Sequence, residues 1–126
     1  MLTVSQDVLI ENNTFGDCAY GGGKRPVIYI ETDLDKTDYI FEKIIINNNT
    51  FNNFNPSIIK ANGVKHLEFT NNTINNSKTF EPIAPEAYVI DVKHIETLKV
   101  ENVKISKDFT NKLKIEEVKN NLSDIK

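Results

Sequence analysis

A single cysteine, Cys18, stands in the 126 residues of this chain. One thiol excludes an intrachain disulfide and any cysteine-rich metal site. Basic residues are not in excess: 15 Lys and Arg face 18 Asp and Glu, for a net charge of −3. That balance leaves no electrostatic footprint for DNA or RNA, which would need a basic face. No apolar run approaches the ~20 residues that span a bilayer as a helix, so no membrane partner is expected. Met1 to Ile10 lacks a basic n-region and a long apolar core. Any secretion signal of a longer parent, plausibly a secreted or periplasmic bacterial protein, would then lie upstream.

Asparagine, by contrast, is abundant and clustered, at Asn12-Asn13, Asn47 to Asn49, Asn71-Asn72 and Asn75-Asn76. The clusters are not low-complexity drift, because they sit inside a repeat. Four segments align: Val8-Leu-Ile-Glu-Asn-Asn-Thr-Phe15, Ile44-Ile-Ile-Asn-Asn-Asn-Thr-Phe51, Leu67-Glu-Phe-Thr-Asn-Asn-Thr-Ile74 and Leu98-Lys-Val-Glu-Asn-Val-Lys-Ile105. Each begins with the period-two alternation of a strand, breaks at Asn, and restarts at a β-branched or apolar residue. Asn suits the break because it tolerates the left-handed region better than other residues bearing a Cβ. A second set lies between: Val27-Ile-Tyr-Ile-Glu31, Ile58-Ile-Lys-Ala-Asn62 and Val89-Ile-Asp-Val-Lys93, equally spaced 31 residues apart.

Interleaved repeats of similar period predict an all-β solenoid: a right-handed parallel β-helix of about three coils, with three short strands per coil. One coil cannot bury its own apolar side chains. Stacking coils at roughly 4.8 Å makes parallel sheets and a continuous core. Equivalent residues then touch. Expected interior rows are Val8/Ile44/Leu67/Leu98, Ile10/Ile46/Phe69/Val100 and Phe15/Phe51/Ile74/Ile105. Asn12 or Asn13, Asn48 or Asn49, Asn71 or Asn72, and Asn102 would form an amide ladder. The Asn-x-Ser/Thr sequons at Asn12, Asn48, Asn71 and Asn75 read as by-products of that ladder. A leucine-rich repeat fits less well, since its repeats are shorter and its Leu spacing is absent.

The whole chain, 1–126, reads as one segment, with coils over 1–106 and an irregular C-terminal cap or last strand over 107–126. Leu113 to Lys119 copies Leu98 to Lys104, yet 15 residues are too few for a coil. Ile115, Val118, Leu122 and Ile125 also fall at helical spacing. At the other end an unpaired β-helix edge is exposed, which offers a surface for self-association. Loops over 16–26, 32–42 and 77–87 are long, and loops on a rigid solenoid commonly carry binding. Two of them, 16–26 and 77–87, would flank the 27/58/89 sheet as walls.

On that sheet, Ile28/Ile59/Ile90 and Ile30/Ala61/Val92 are expected to face inward. The outward rows are then Tyr29/Lys60/Asp91 and Glu31/Asn62/Lys93. Sugars are held by such mixtures of planar hydrogen-bonding groups with an aromatic face, so these six are the candidate carbohydrate-binding residues. The same rows also suit a solvated sheet surface with favourable charge neighbours. Val27, Ile58 and Val89 are expected as an outward apolar row, covered by a long loop, by other parts of a longer parent or by a partner.

Glycoside hydrolysis typically uses two carboxylates, about 5 Å apart for retention or about 6.5–9.5 Å for inversion. Glu31, Asp33, Asp91, Glu81 and Glu86 are available, but no pair is defined, so no catalytic residue is assigned. Asp33-Leu-Asp-Lys-Thr-Asp38 lacks the glycine and terminal Glu of an EF-hand loop and reads as an acidic surface loop. Gly21-Gly-Gly-Lys-Arg25 lacks P-loop spacing. His66 and His94 each precede a strand at a turn and have no third zinc ligand. No metal and no cofactor is expected.

The order of features resembles the C-terminal coils of family-110 glycoside hydrolases, bacterial α-1,3-galactosidases acting on blood-group-B-type glycans. The resemblance rests on Ile10-Glu-Asn-Asn-Thr-Phe-Gly-Asp17, the Gly-rich loop with Pro26-Val-Ile-Tyr-Ile30, Ile46-Asn-Asn-Asn-Thr-Phe51 and Phe54-Asn-Pro-Ser-Ile-Ile59. It continues through Val64-Lys-His-Leu-Glu-Phe-Thr-Asn-Asn-Thr-Ile74 and the tail Ser123-Asp-Ile-Lys126. It implies a carbohydrate partner, hydrolysis of a terminal α-linked galactose, and no nucleotide or redox cofactor. The family uses neighbouring aspartates in earlier coils. This chain has no Asp-Asp pair, so the resemblance implies a piece that is inactive alone. A non-catalytic glycan-binding or structural module is the alternative.

Overall fold

A computed structural model describes residues 7–17, 26–31 and 41–124. The elements are β1 (Asp7–Glu11), β2 (Thr14–Gly16), β3 (Ile28–Ile30), β4 (Phe41–Asn47), β5 (Thr50–Asn53), β6 (Ile59–Thr70), β7 (Thr73–Asn76), β8 (Ile90–Glu101), β9 (Lys104–Ile105) and β10 (Leu113–Asn121). No helix occurs among the described residues, and none there is long and apolar enough to cross a membrane. One sheet runs β1-β4-β6-β8-β10, with β3 also paired to β6; the other runs β2-β5-β7-β9. Each of the pairings is parallel.

Alternation sets the register. Val8, Ile44, Leu67 and Leu98 are successive partners, as are Ile10, Ile46, Phe69 and Val100. In the second sheet Phe15, Phe51, Ile74 and Ile105 pair in turn. A slip of one residue would expose every one of these side chains, so the core fixes the pairing. The stacked row brings Phe15 onto Phe51 with centroids 4.9 Å apart, and across the core Phe51 meets Phe69 of the other sheet at 6.0 Å. Such contacts add about 0.5–1.5 kcal/mol beyond the area they bury.

The two sheets meet at an asparagine bend. Asn12, Asn48, Asn71 and Asn102 all have positive φ, between 53° and 60°. At the two inner positions the following residue is buried: Asn49 and Asn72 are 2% and 1% exposed. Here the inner amides bond to one another. Asn49 Nδ2 donates to Asn72 Oδ1 at 3.1 Å, and Asn13 Nδ2 to Asn49 Oδ1 at 3.3 Å. The same oxygens accept the backbone N–H of Asn49 (2.8 Å) and of Asn13 (2.9 Å). Asn72 Nδ2 returns a bond to the Ile46 carbonyl at 2.9 Å. The left-handed asparagines bond outside in two pairs, Asn48 donating to Asn12 at 2.5 Å and Asn102 to Asn71 at 2.8 Å, while Asn71 donates to Asn47 at 2.9 Å.

Several expectations change. The 58-set and 67-set strands are not separate: β6 and β8 each run 12 residues through a second bend. That bend is made by Gly63, His94 and Glu117, all at positive φ. Partners on either side of it stay in register, as with Asn62↔Lys93 and Val64↔Ile95. Ile58 and Val89 do not face outward. Both are fully buried in the same apolar cluster as Ile59 and Ile90, with Val27 packed against it. The chain turns between 58 and 59, where both N–H groups donate to the Val89 carbonyl, so consecutive residues can point inward. Leu113 pairs with Ile90 rather than standing equivalent to Leu98, and 113–121 is a strand rather than a helix. His66 is a strand residue between Lys43 and Thr97, whereas His94 occupies the bend.

Candidate functional site

The six predicted surface residues come together. Tyr29, Lys60 and Asp91 are successive register partners, and so are Asn62 and Lys93. Glu31 follows directly on β3. All six line one shallow depression of about 250 Å³ on the outer face of the long sheet. Their inward neighbours Ala61 and Val92 are buried, because alternation puts successive side chains on opposite faces.

Besides the floor at Ala61, two further residues line the same depression: Lys114 and Glu116, on β10. Lys114 pairs with Asp91 and Glu116 with Lys93. Setting Leu113 against Leu98 hides them. The aligned segments share a pattern, Ile59-x-Ala61-x-x-Val64, Ile90-x-Val92-x-x-Ile95 and Leu113-x-Ile115-x-x-Val118. Leu98-x-Val100-x-x-Val103 satisfies the same pattern, so pattern alone does not choose between the two alignments.

Polar groups in the depression are partly paired with one another. The Tyr29 hydroxyl donates to Glu31 Oε2. Glu116 lies 3.5 Å from the Lys114 ammonium and 4.0 Å from that of Lys93. Lys93, Lys114 and Glu116 are each about half exposed, so these pairs are solvent-screened and worth little as stability. Chemically the surface offers ammonium donors, carboxylate acceptors, one amide that does both, and the ring of Tyr29, which is 53% exposed.

Other expectations disperse. Of the five carboxylates considered for hydrolysis, Glu31 and Asp91 share the depression. Glu81 lines a separate hollow beside Phe80 and Pro82, and Glu86 is exposed on the same loop. Asp33, with the rest of the Asp33–Asp38 loop, lies outside the described residues, as does Gly21–Arg25. Loop 77–87 adds nothing to the lining of the depression. It is anchored instead by Asn55, whose Oδ1 accepts from the N–H groups of Ile83 at 2.7 Å and Ala84 at 3.2 Å. Most of loop 16–26 is outside the described residues. His66 faces Glu68 at 3.4 Å. Among the described residues no three His, Cys, Asp or Glu converge as a metal site.

No family model and no solved structure matches this chain. Two curated proteins do: the alpha-1,3-galactosidase A of each of two strains of Bacteroides fragilis. Both are 39% identical to it over 88 residues, covering 67% of this chain and 14% of the relative. The chain thus spans a small part of the length of the relatives it matches. The resemblance to the family-110 glycoside hydrolases holds for this segment.

Proposed function

We propose that this chain is the C-terminal segment of a carbohydrate-active enzyme of the α-galactosidase type, inactive alone, whose outer sheet face contacts glycan. In this reading the two sheets are walls of a right-handed parallel β-helix of about three coils, and the stacked inner amides are its asparagine ladder. The observation that carries the glycan contact is the convergence of Tyr29, Lys60, Asn62 and Asp91 on one depression, in a chain similar to alpha-1,3-galactosidase A. Hydroxyl-rich ligands need donors and acceptors interleaved at short spacing, with an apolar ring face beside them. Catalysis would lie elsewhere in the parent. Glu31 follows β3 and Asp91 stands on β8, with β6 between them, and nothing marks the two as an acid–base pair.

A glycan array probed with the wild type and with Lys60→Ala tests the reading. Wild type is expected to retain α-galactose-terminated glycans without hydrolysing them, and Lys60→Ala to lose about tenfold in affinity. Absence of binding by both proteins overturns the glycan contact and leaves a structural module.

A further inference from the structure

On top of the proposed glycan contact, we infer that the subsite extends onto β10, where Lys114 and Glu116 hold one end of a neutral oligosaccharide about three sugar rings long. The register shows why. Four neighbouring strands cross the depression, in the order β3, β6, β8, β10. Adjacent strands stand about 4.8 Å apart, so the floor is roughly 14 Å wide. A pyranose ring spans roughly one strand spacing, and three gaps accommodate three rings laid across the strands.

Charge selects the ligand class. Along one row the order is Tyr29, Lys60, Asp91, Lys114. In the adjacent row Lys93 stands beside Glu116. Every pair of charges adjacent in these rows is opposite in sign, and so are Asp91 and Lys93, and Lys114 and Glu116, along their strands. Glu116 pairs with both Lys93 and Lys114, and across the whole depression Lys60, Lys93 and Lys114 are matched by Glu31, Asp91 and Glu116, so the charges sum to zero. An anionic ligand would gain an ammonium only by meeting the neighbouring carboxylate, and a cationic ligand the reverse. Uncharged hydroxyls accept from the ammonium and donate to the carboxylate without that penalty. A neutral chain crossing the rows therefore fits where a polyanion does not.

Calorimetry with neutral galacto-oligosaccharides of increasing length, and with oligogalacturonates as the anionic control, tests this. Affinity is expected to rise up to about three rings and then level off. It should be nearly independent of salt, because no net charge is neutralised. Lys114→Ala and Glu116→Ala should each weaken trisaccharide binding about tenfold while leaving the monosaccharide unchanged. Both side chains are solvent-exposed, so the urea midpoint serves as the check that the variants fold. If both variants bind the trisaccharide like wild type while Lys60→Ala still loses affinity, the β10 extension is wrong and the glycan contact stands. Tighter, salt-sensitive binding of oligogalacturonate would overturn the neutral class. If wild type binds no saccharide at all, both inferences fall.

Discussion

The two bends of the long strands share a local pattern and solve different problems. At each, two alternating apolar residues are followed by a residue at positive φ and then by one that turns inward. At the first bend the sequence is Ile44-x-Ile46-x-Asn48-Asn49, with φ of 57° at Asn48. At the second it is Ile59-x-Ala61-x-Gly63-Val64, with φ of 83° at Gly63. The inward residue is Asn at positions 49 and 72 of the first bend, with Val103 ending that row, and is apolar throughout the second. The backbone accounts for this. Through the second bend the sheet continues, and Val64 pairs with Ile95 and Phe41. At the first bend one sheet ends and another begins. Asn49 there turns its N–H to the Asn72 side chain at 2.8 Å. At 49 and 72 asparagine thus supplies the acceptor that the interrupted backbone pairing does not, since a buried N–H must find a partner.

Exchanging the inward residues breaks the comparison most severely. Val64→Asn buries an amide in an apolar row and deletes a fully buried side chain. We expect a loss of about 4 kcal/mol, read from the urea midpoint. The reverse exchange, Asn72→Val, keeps the packing volume but orphans the Asn49 N–H and removes the side-chain bond to the Ile46 carbonyl. Its expected cost is about 3 kcal/mol; a cost below about 1 kcal/mol would mean the amide row is dispensable.

Smaller changes sharpen the contrast at the positive-φ residues. Gly63→Ala puts a Cβ into the left-handed region and should cost about 1–2 kcal/mol. Glu117→Gly removes that strain from the exposed end of the same row. It should raise stability by about 0.5 kcal/mol, the strain relief being partly offset by glycine's entropy. Smallest of all is Glu116→Gln, which cuts the surface pairs to Lys93 and Lys114. Its effect on the midpoint should stay under about 0.5 kcal/mol, even though Glu116 is assigned a ligand contact.

The inward rows were legible because alternation and burial are the same fact seen twice. Ile44, Leu67 and Leu98 repeat in sequence and stack in space. The six surface residues were legible for the same reason, since the outward face is whatever the inward face is not. Lys114 and Glu116 were hidden because both bends use one apolar pattern. Sequence could not tell which bend Leu113 approaches, and the interval to its true partner Ile90 is shorter than the 31 residues of the clearest repeat. Ile58 and Val89 misled because strict alternation was carried through a corner where the chain turns.

Residue order by itself determined that this chain forms parallel β-structure with asparagine at its bends, because apolar periodicity and tolerance of positive φ are local properties. It also determined which residues share a face. Tertiary structure decided which of each asparagine pair goes inside, where the last strand docks, and that one bend keeps its backbone pairing while the other hands it to side chains. Those outcomes depend on the neighbouring strand, since a hydrogen-bond partner across a sheet lies tens of residues away along the chain.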